Sequence, residues 1–280
     1  MELEKEIRLL KDYFAQRPEI AMAFVFGSYA KGTAIRESDF DVAVYFHPQG
    51  KALEWETTEA YPQENAVWSD VEKIVDLPID LVVLNRAPAT LAFAVLQEGI
   101  PIIVKNRSLY LRFFLMISSA AEYLMEFTKD FWAIKQRSAS LSEIDKDRLM
   151  KTLDFLETEL KDYPLFENIH QAEYEADHSL RRNVERWVEN IMNASIDIAK
   201  ILLASEHKRI PETYRKIMEE LVCLKNFNPG TANSLAEFSK LRNILAHEYL
   251  DIRYQQIKNF LHKVSPLYRD FLNFVKNFLQ

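Results

Sequence analysis

The placement of glycine constrains this chain more than any other feature of its sequence. Among 280 residues there are five glycines, and Gly27, Gly32, Gly50 and Gly99 all precede residue 100. Glycine is the residue that lets a backbone turn sharply or take a ligand against it. The first part is therefore built from short elements joined by tight turns, while the remainder is free to be helical almost throughout.

Hydrophobic spacing agrees. Residues 2–16 carry apolar positions at helical spacing and stop before Pro18. Ile20–Phe26, Val42–Phe46 and Ile79–Leu84 are short apolar runs bounded by turn residues, which predicts buried strands, and Ile100–Val104 reads as a fourth strand. Pro88–Glu98 predicts a helix with proline in its first turn and Gly99 just past its end. Strands with helices between them indicate a small α/β domain over 1–107. From Ser108 the pattern becomes helical. Helices are predicted over 108–137, 141–163, 179–205, 211–224, 231–247 and 251–278, with a short one near 165–174. Together these form an all-α bundle over 108–280. The fold class expected is α+β, a small mixed sheet followed by a helical bundle.

Composition narrows the class further. With 48% hydrophobic and 28% charged residues the chain has a real core and is not disordered. Cys223 is the single cysteine, which excludes an internal disulfide framework; its apolar neighbours predict a buried, inert thiol. A net charge of −7 argues against a broadly basic nucleic-acid binder. Residues 1–107 hold 11 Lys and Arg against 17 Asp and Glu, and residues 108–280 hold 24 against 25, so the acidity is concentrated at the start. The opening Met1-Glu-Leu-Glu-Lys lacks the pattern of a secretory signal, and Leu109–Leu124 is broken by Arg112 and Glu122. The expectation is a cytoplasmic protein with no membrane span.

Two clusters carry chemistry. The first begins with Phe26-Gly27-Ser28-Tyr29-Ala30-Lys31-Gly32, directly after the first strand. Glycine there permits close backbone approach, so that N–H groups and the Ser28 hydroxyl can grip phosphate oxygens. Ser38-Asp39-Phe40-Asp41 follows. Two aspartates separated by one residue on an extended segment point to one face, roughly 6.5 Å apart along the backbone. Carboxylates so close repel unless a cation sits between them, and such a pair can share two divalent ions. Asp80, opening the Ile79–Leu84 run, offers a third.

The stretch G-S-Y-A-K-G…S-D-F-D-V-A-V, with I-D-L-V-V-L after it, closely resembles the minimal nucleotidyltransferase family of the polymerase-beta superfamily. That resemblance implies ATP as substrate and two Mg²⁺ ions. It implies that Gly27 and Ser28 bind the triphosphate, that Asp39 and Asp41 ligate metal, and that Asp80 is a ligand or base.

The second cluster is Arg242-Asn243-Ile244-Leu245-Ala246-His247-Glu248-Tyr249. Asn243 and His247 are four apart and share a helical face, and Arg242 and Tyr249 are seven apart on nearly one line. Arginine neutralises phosphate, histidine moves a proton from a ribose hydroxyl, and asparagine orients both. That set suffices for metal-independent RNA cleavage. The pattern R-x-x-x-x-H-x-Y resembles the HEPN domain of HepT-type toxins. In those systems a separate nucleotidyltransferase passes AMP from ATP to the motif tyrosine, which silences the RNase. The resemblance implies Tyr249 as the modified residue, RNA as a partner, and a homodimer through the bundle. A different arrangement, similar to kanamycin nucleotidyltransferase, would instead modify an aminoglycoside-like small molecule, with the bundle binding substrate or dimerising. The presence of Arg242, His247 and Tyr249 together discriminates against it.

Overall fold

The computed structural model describes residues 2–50, 53–57, 59–137, 141–247 and 254–280. They fall into two compact units, 1–122 and 123–280.

The first unit runs α1 (Glu2–Ala15), β1 (Ile20–Val25), α2 (Gly27–Lys31), β2 (Phe40–Phe46), α3 (Glu64–Val75), β3 (Ile79–Val83), α4 (Ala89–Glu98), β4 (Ile100–Val104) and the start of α5 (Arg107–Arg137). The strands form a mixed sheet in the order β3-β2-β1-β4. β1 pairs antiparallel with both β2 and β4, whereas β2 and β3 run parallel. A parallel neighbour cannot be reached by a hairpin, and α3 is the crossover that makes the connection. α3 is not among the helices predicted from the sequence. Its apolar stripe is three valines, Val67, Val71 and Val75, all buried, and β-branched residues are weak helix formers. Tertiary burial holds this helix: each valine contributes roughly 1.5 kcal/mol or more on leaving water. β1 is buried at every position, and Leu10 and Phe14 of α1 complete the core beside it.

The second unit takes the rest of α5 and adds α6 (Glu143–Leu160), α7 (Tyr163–Phe166), α8 (Gln171–Ala176), α9 (His178–Ser205), α10 (Tyr214–Glu219), a 3₁₀ turn over Glu220–Cys223, α11 (Pro229–His247) and α12 (Tyr254–Phe278). Ser142 caps α6 as its position predicts, its side chain accepting from the Asp145 N–H at 3.2 Å. α9 is the central helix. Val184, Trp187, Val188, Ile191, Ala194, Ile198 and Ile201 form its buried stripe, and from Ile198 to Ser205 it is buried on every side. Its one mid-helix hydroxyl in the core, Ser195, donates to the Ile191 carbonyl at 2.7 Å and lies 2.9 Å from Tyr268 Oη.

Three details correct the sequence reading. The segment expected as one helix over 211–224 is α10 followed by a 3₁₀ turn, and it starts late because Thr213 caps it, accepting from the Lys216 N–H at 3.1 Å. The short helix near 165–174 is two helices, α7 and α8. Cys223 is exposed, not buried, at the end of the 3₁₀ turn, where Leu221 and Leu224 take the buried positions. Among the described residues no helix is long and apolar enough to cross a membrane.

Candidate functional site

β1 ends at Val25, and the chain turns at Gly27 with φ +65°. A side chain at Gly27 would place its Cβ 1.9 Å from Asp41 Oδ2 and 2.7 Å from Asp41 Cγ. Both the left-handed backbone and the neighbouring carboxylate therefore demand glycine. Gly32, at φ +69°, caps the five-residue α2 and returns the chain toward β2. The Phe26 N–H donates to the Asp41 carbonyl at 3.0 Å, so the turn and the strand that bears the aspartates are tied together by main chain.

The carboxylates converge through sheet register. Asp41 on β2 lies directly beside Asp80 on β3 in the parallel ladder. Neighbours in register share a sheet face, and Asp39, two residues before Asp41, falls on that face as well. Asp39 and Asp80 are exposed, whereas Asp41 is half-buried. Burial first, then the negative charges of Asp80 and Asp39, push the Asp41 carboxyl above its ordinary range; the backbone N–H of Ser28 opposes this. The Ser38 hydroxyl accepts from the Ile35 N–H at 2.9 Å and closes the turn before Asp39. The Phe40 N–H donates to the Pro78 carbonyl at 2.8 Å and fixes β2 against β3.

These groups suit a divalent cation carried with a polyphosphate. Among the described residues no three His, Cys, Asp or Glu side chains converge into a cage that would hold a metal unaided. Magnesium does not need one. It commonly takes one or two carboxylates and completes its shell with water and substrate phosphates. An acidic face with one carboxyl held up by burial and then by its acidic neighbours, beside a bare glycine backbone, fits that mode.

The sequence placed Gly27, Ser28, Asp39, Asp41 and Asp80 in one site, and the structure brings them to one end of the sheet. Positions the sequence did not single out are Phe26, Phe40 and Tyr29, whose ring packs on Phe40 at 4.9 Å between centroids. The Tyr29–Phe40 ring pair and the Phe26 N–H bond to Asp41 tie the turn to β2. The only signal for these three residues is adjacency to the glycine and the aspartates, which no spacing rule would isolate. In the second unit, Arg242, Asn243 and His247 lie in the closing turns of α11. Tyr249 lies outside the described residues.

Comparison with known families resolves both halves. Residues 8–108 match the family described as polymerase beta, nucleotidyltransferase. Residues 119–275, more than half of the chain, match the family described as ribonuclease HepT-like. The chain belongs to the HepT-like family. It joins that HepT-like domain to a nucleotidyltransferase domain in one polypeptide. No curated protein matches it. Several solved structures resemble part of it, two toxin–antitoxin structures among them. One is a crystal structure of a toxin–antitoxin with AMP-PNP, 23% identical over 42% of this chain and 90% of that chain, with a TM-score of 0.34. The other is a mutant of the toxin–antitoxin MntA–HpeT, 24% identical over 45% of this chain and 90% of that chain, with a TM-score of 0.35.

Proposed function

We propose that the nucleotidyltransferase half transfers AMP from ATP to Tyr249, and that the transfer silences a metal-independent RNase site in the HepT-like half. The chain would then hold both members of a toxin–antitoxin pair. The observation that supports this most is the register match of Asp41 with Asp80 on the face that also carries Asp39, in front of the Gly27–Ser28 turn.

Gly27, with no side chain, admits the triphosphate to the backbone, and the Ser28 hydroxyl donates to it. Asp39 and Asp41, with Asp80, would hold two Mg²⁺. When bound, these ions supply positive charge that offsets the phosphate oxygens and the carboxylates together. The Tyr249 phenol oxygen forms the new bond to the α-phosphorus as the bond to the pyrophosphate oxygen breaks. The phenol proton passes to a carboxylate of the site, for which Asp80 is the exposed member beside Asp41. The products are an AMP phosphodiester on Tyr249 and free pyrophosphate.

In the other half, His247 takes the proton from a ribose 2′-hydroxyl, Arg242 neutralises the scissile phosphate and Asn243 orients them. An AMP group two residues beyond His247 adds negative charge where the RNA phosphate must sit, and so blocks it. A homodimer through the helical unit is part of this reading.

Intact-mass measurement after incubation with Mg-ATP tests it. Wild type should gain AMP, and both Tyr249→Phe and the double variant Asp39→Asn/Asp41→Asn should not. An unmodified wild type that turns over an aminoglycoside would replace this reading with small-molecule modification.

A further inference from the structure

A cleft of about 520 Å³ opens in the helical unit where the turn before α11 meets the end of α12. That volume lies in the roughly 300–1,000 Å³ range of small-ligand sites. We propose that it binds a nucleobase of single-stranded RNA, well apart from the cleavage motif. The choice of RNA over free nucleotide rests on the RNase reading above; the base chemistry does not.

Aromatic rings line part of the cleft. Phe274, half-buried, packs edge-on against Phe227 with ring centroids 4.6 Å apart, and Phe278 lies 6.3 Å from Phe274 at a 34° tilt. Primary amides line the rest. Asn228 commits its carbonyl oxygen to the N–H groups of Gly230 at 2.7 Å and Thr231 at 3.4 Å, which leaves its NH₂ as a donor. Asn273 and Asn277 are four apart on α12 and share a face. Neither they nor Asn226 spend their amides on another described residue.

Charge decides the ligand. Lys225 and Asp270 are the charged residues of the lining, and they cancel. A phosphate would meet no net attraction there, whereas a neutral, planar ring with donors and acceptors along its edge meets both its requirements. Asparagine amides pair with base edges in two hydrogen bonds at once. Unstacked RNA bases are held by aromatic contact together with such edge bonds. Thr231 at the cleft precedes Arg242 by eleven residues of α11, about 17 Å at 1.5 Å per residue. The base held is therefore separated from the scissile phosphate by more than one nucleotide, and the cleft selects which stretch of RNA is presented.

The test uses the full chain with His247→Ala, so that bound RNA is not cut, with and without Asn273→Ala/Asn277→Ala. Both asparagines are exposed, and a thermal melt verifies that folding is unaffected. Affinity for a fluorescent single-stranded oligoribonucleotide should fall by about tenfold, in keeping with loss of one amide–base-edge hydrogen-bond pair. The slope of log affinity against log salt should not change, because no phosphate contact is removed. Binding of AMP by the cleft with no binding of the oligomer would keep the base site and assign it to free nucleotide. Equal affinities, or a lower salt slope in the variant, would overturn the proposal. If the oligomer binds through the cleft but an Asp39→Asn/Asp41→Asn protein with His247 intact never cuts it, the RNase reading fails and the cleft stands.

Discussion

A desolvated carboxylate sits in each half of the chain, and the two are driven in opposite directions. In the helical unit, burial raises Asp145, but Arg137 grips it through two bonds, at 2.5 and 3.1 Å, and Ser142 adds a third at 2.5 Å. Those partners outweigh burial, and Asp145 titrates below the ordinary carboxylate range. Asp130, beside Arg148 at 2.9 Å and the buried Lys200 at 3.1 Å, behaves alike. In the nucleotidyltransferase half, Asp41 has carboxylates for neighbours, and its carboxyl is raised. A buried charge with its counter-charge built in serves the fold; one set among like charges works against the fold until a cation arrives. That contrast separates structure from function here.

The largest effect should come from removing the unpaired charge. Asp41→Asn should lower the rate of AMP addition by about a hundredfold or more, the scale for losing a central electrostatic group, while the melting temperature holds or rises. A marked fall in stability would place Asp41 with Asp145 and erase the contrast. Asp145→Ala should do the converse, costing about 2–3 kcal/mol in denaturant unfolding, with transferase rate unchanged; Arg137 is a third exposed, which keeps the cost at the lower end for a broken buried pair. Gly27→Ala should cost about 1–2 kcal/mol, because alanine resists φ +65° and Asp41 must rotate away from the new Cβ. Its transferase rate should fall too, since Asp41 is then displaced.

The smallest effect is the response to pH, and its sign differs between the halves. Asp41 keeps its proton in the folded state to higher pH than in the unfolded chain. The first unit should therefore lose stability as pH rises from about 4, the unfolded value, through the raised folded one. Asp145 contributes fully above about pH 4, and its contribution is lost as pH falls through its lowered folded value. Melts between pH 3 and 7 should resolve these opposing trends, and Mg²⁺ should offset the first at neutral pH without altering the second.

Much of this was legible in the sequence, for identifiable reasons. The buried stripe of α9 follows from periodicity, because burial itself sets the period, whereas β4 over Ile100–Val104 is legible only as a short apolar run after Gly99 and turns out to be an edge strand with Ile102 alone buried. Gly27, Asp39 and Asp41 are readable because they are close in the chain, and local spacing places them on one turn and one face. Asp80 joins them in the sequence only through its place at the start of a strand and the family resemblance; its register beside Asp41 is not readable, since parallel register is fixed by packing of α3 and the whole sheet rather than by any local signal. α3 itself escaped because valines carry its stripe and Gln63 at its start provides no side-chain cap. Cys223 was misplaced because apolar sequence neighbours do not reveal which side of a 3₁₀ turn faces outward.

The most direct test of the central claim is a crystal of the full chain soaked with Mn²⁺ and a non-hydrolysable ATP analogue, measured for anomalous scattering. Density for manganese among Asp39, Asp41 and Asp80, with the triphosphate against Gly27 and Ser28, is the predicted result. Nucleotide bound elsewhere, or no manganese at those three aspartates, would contradict the account.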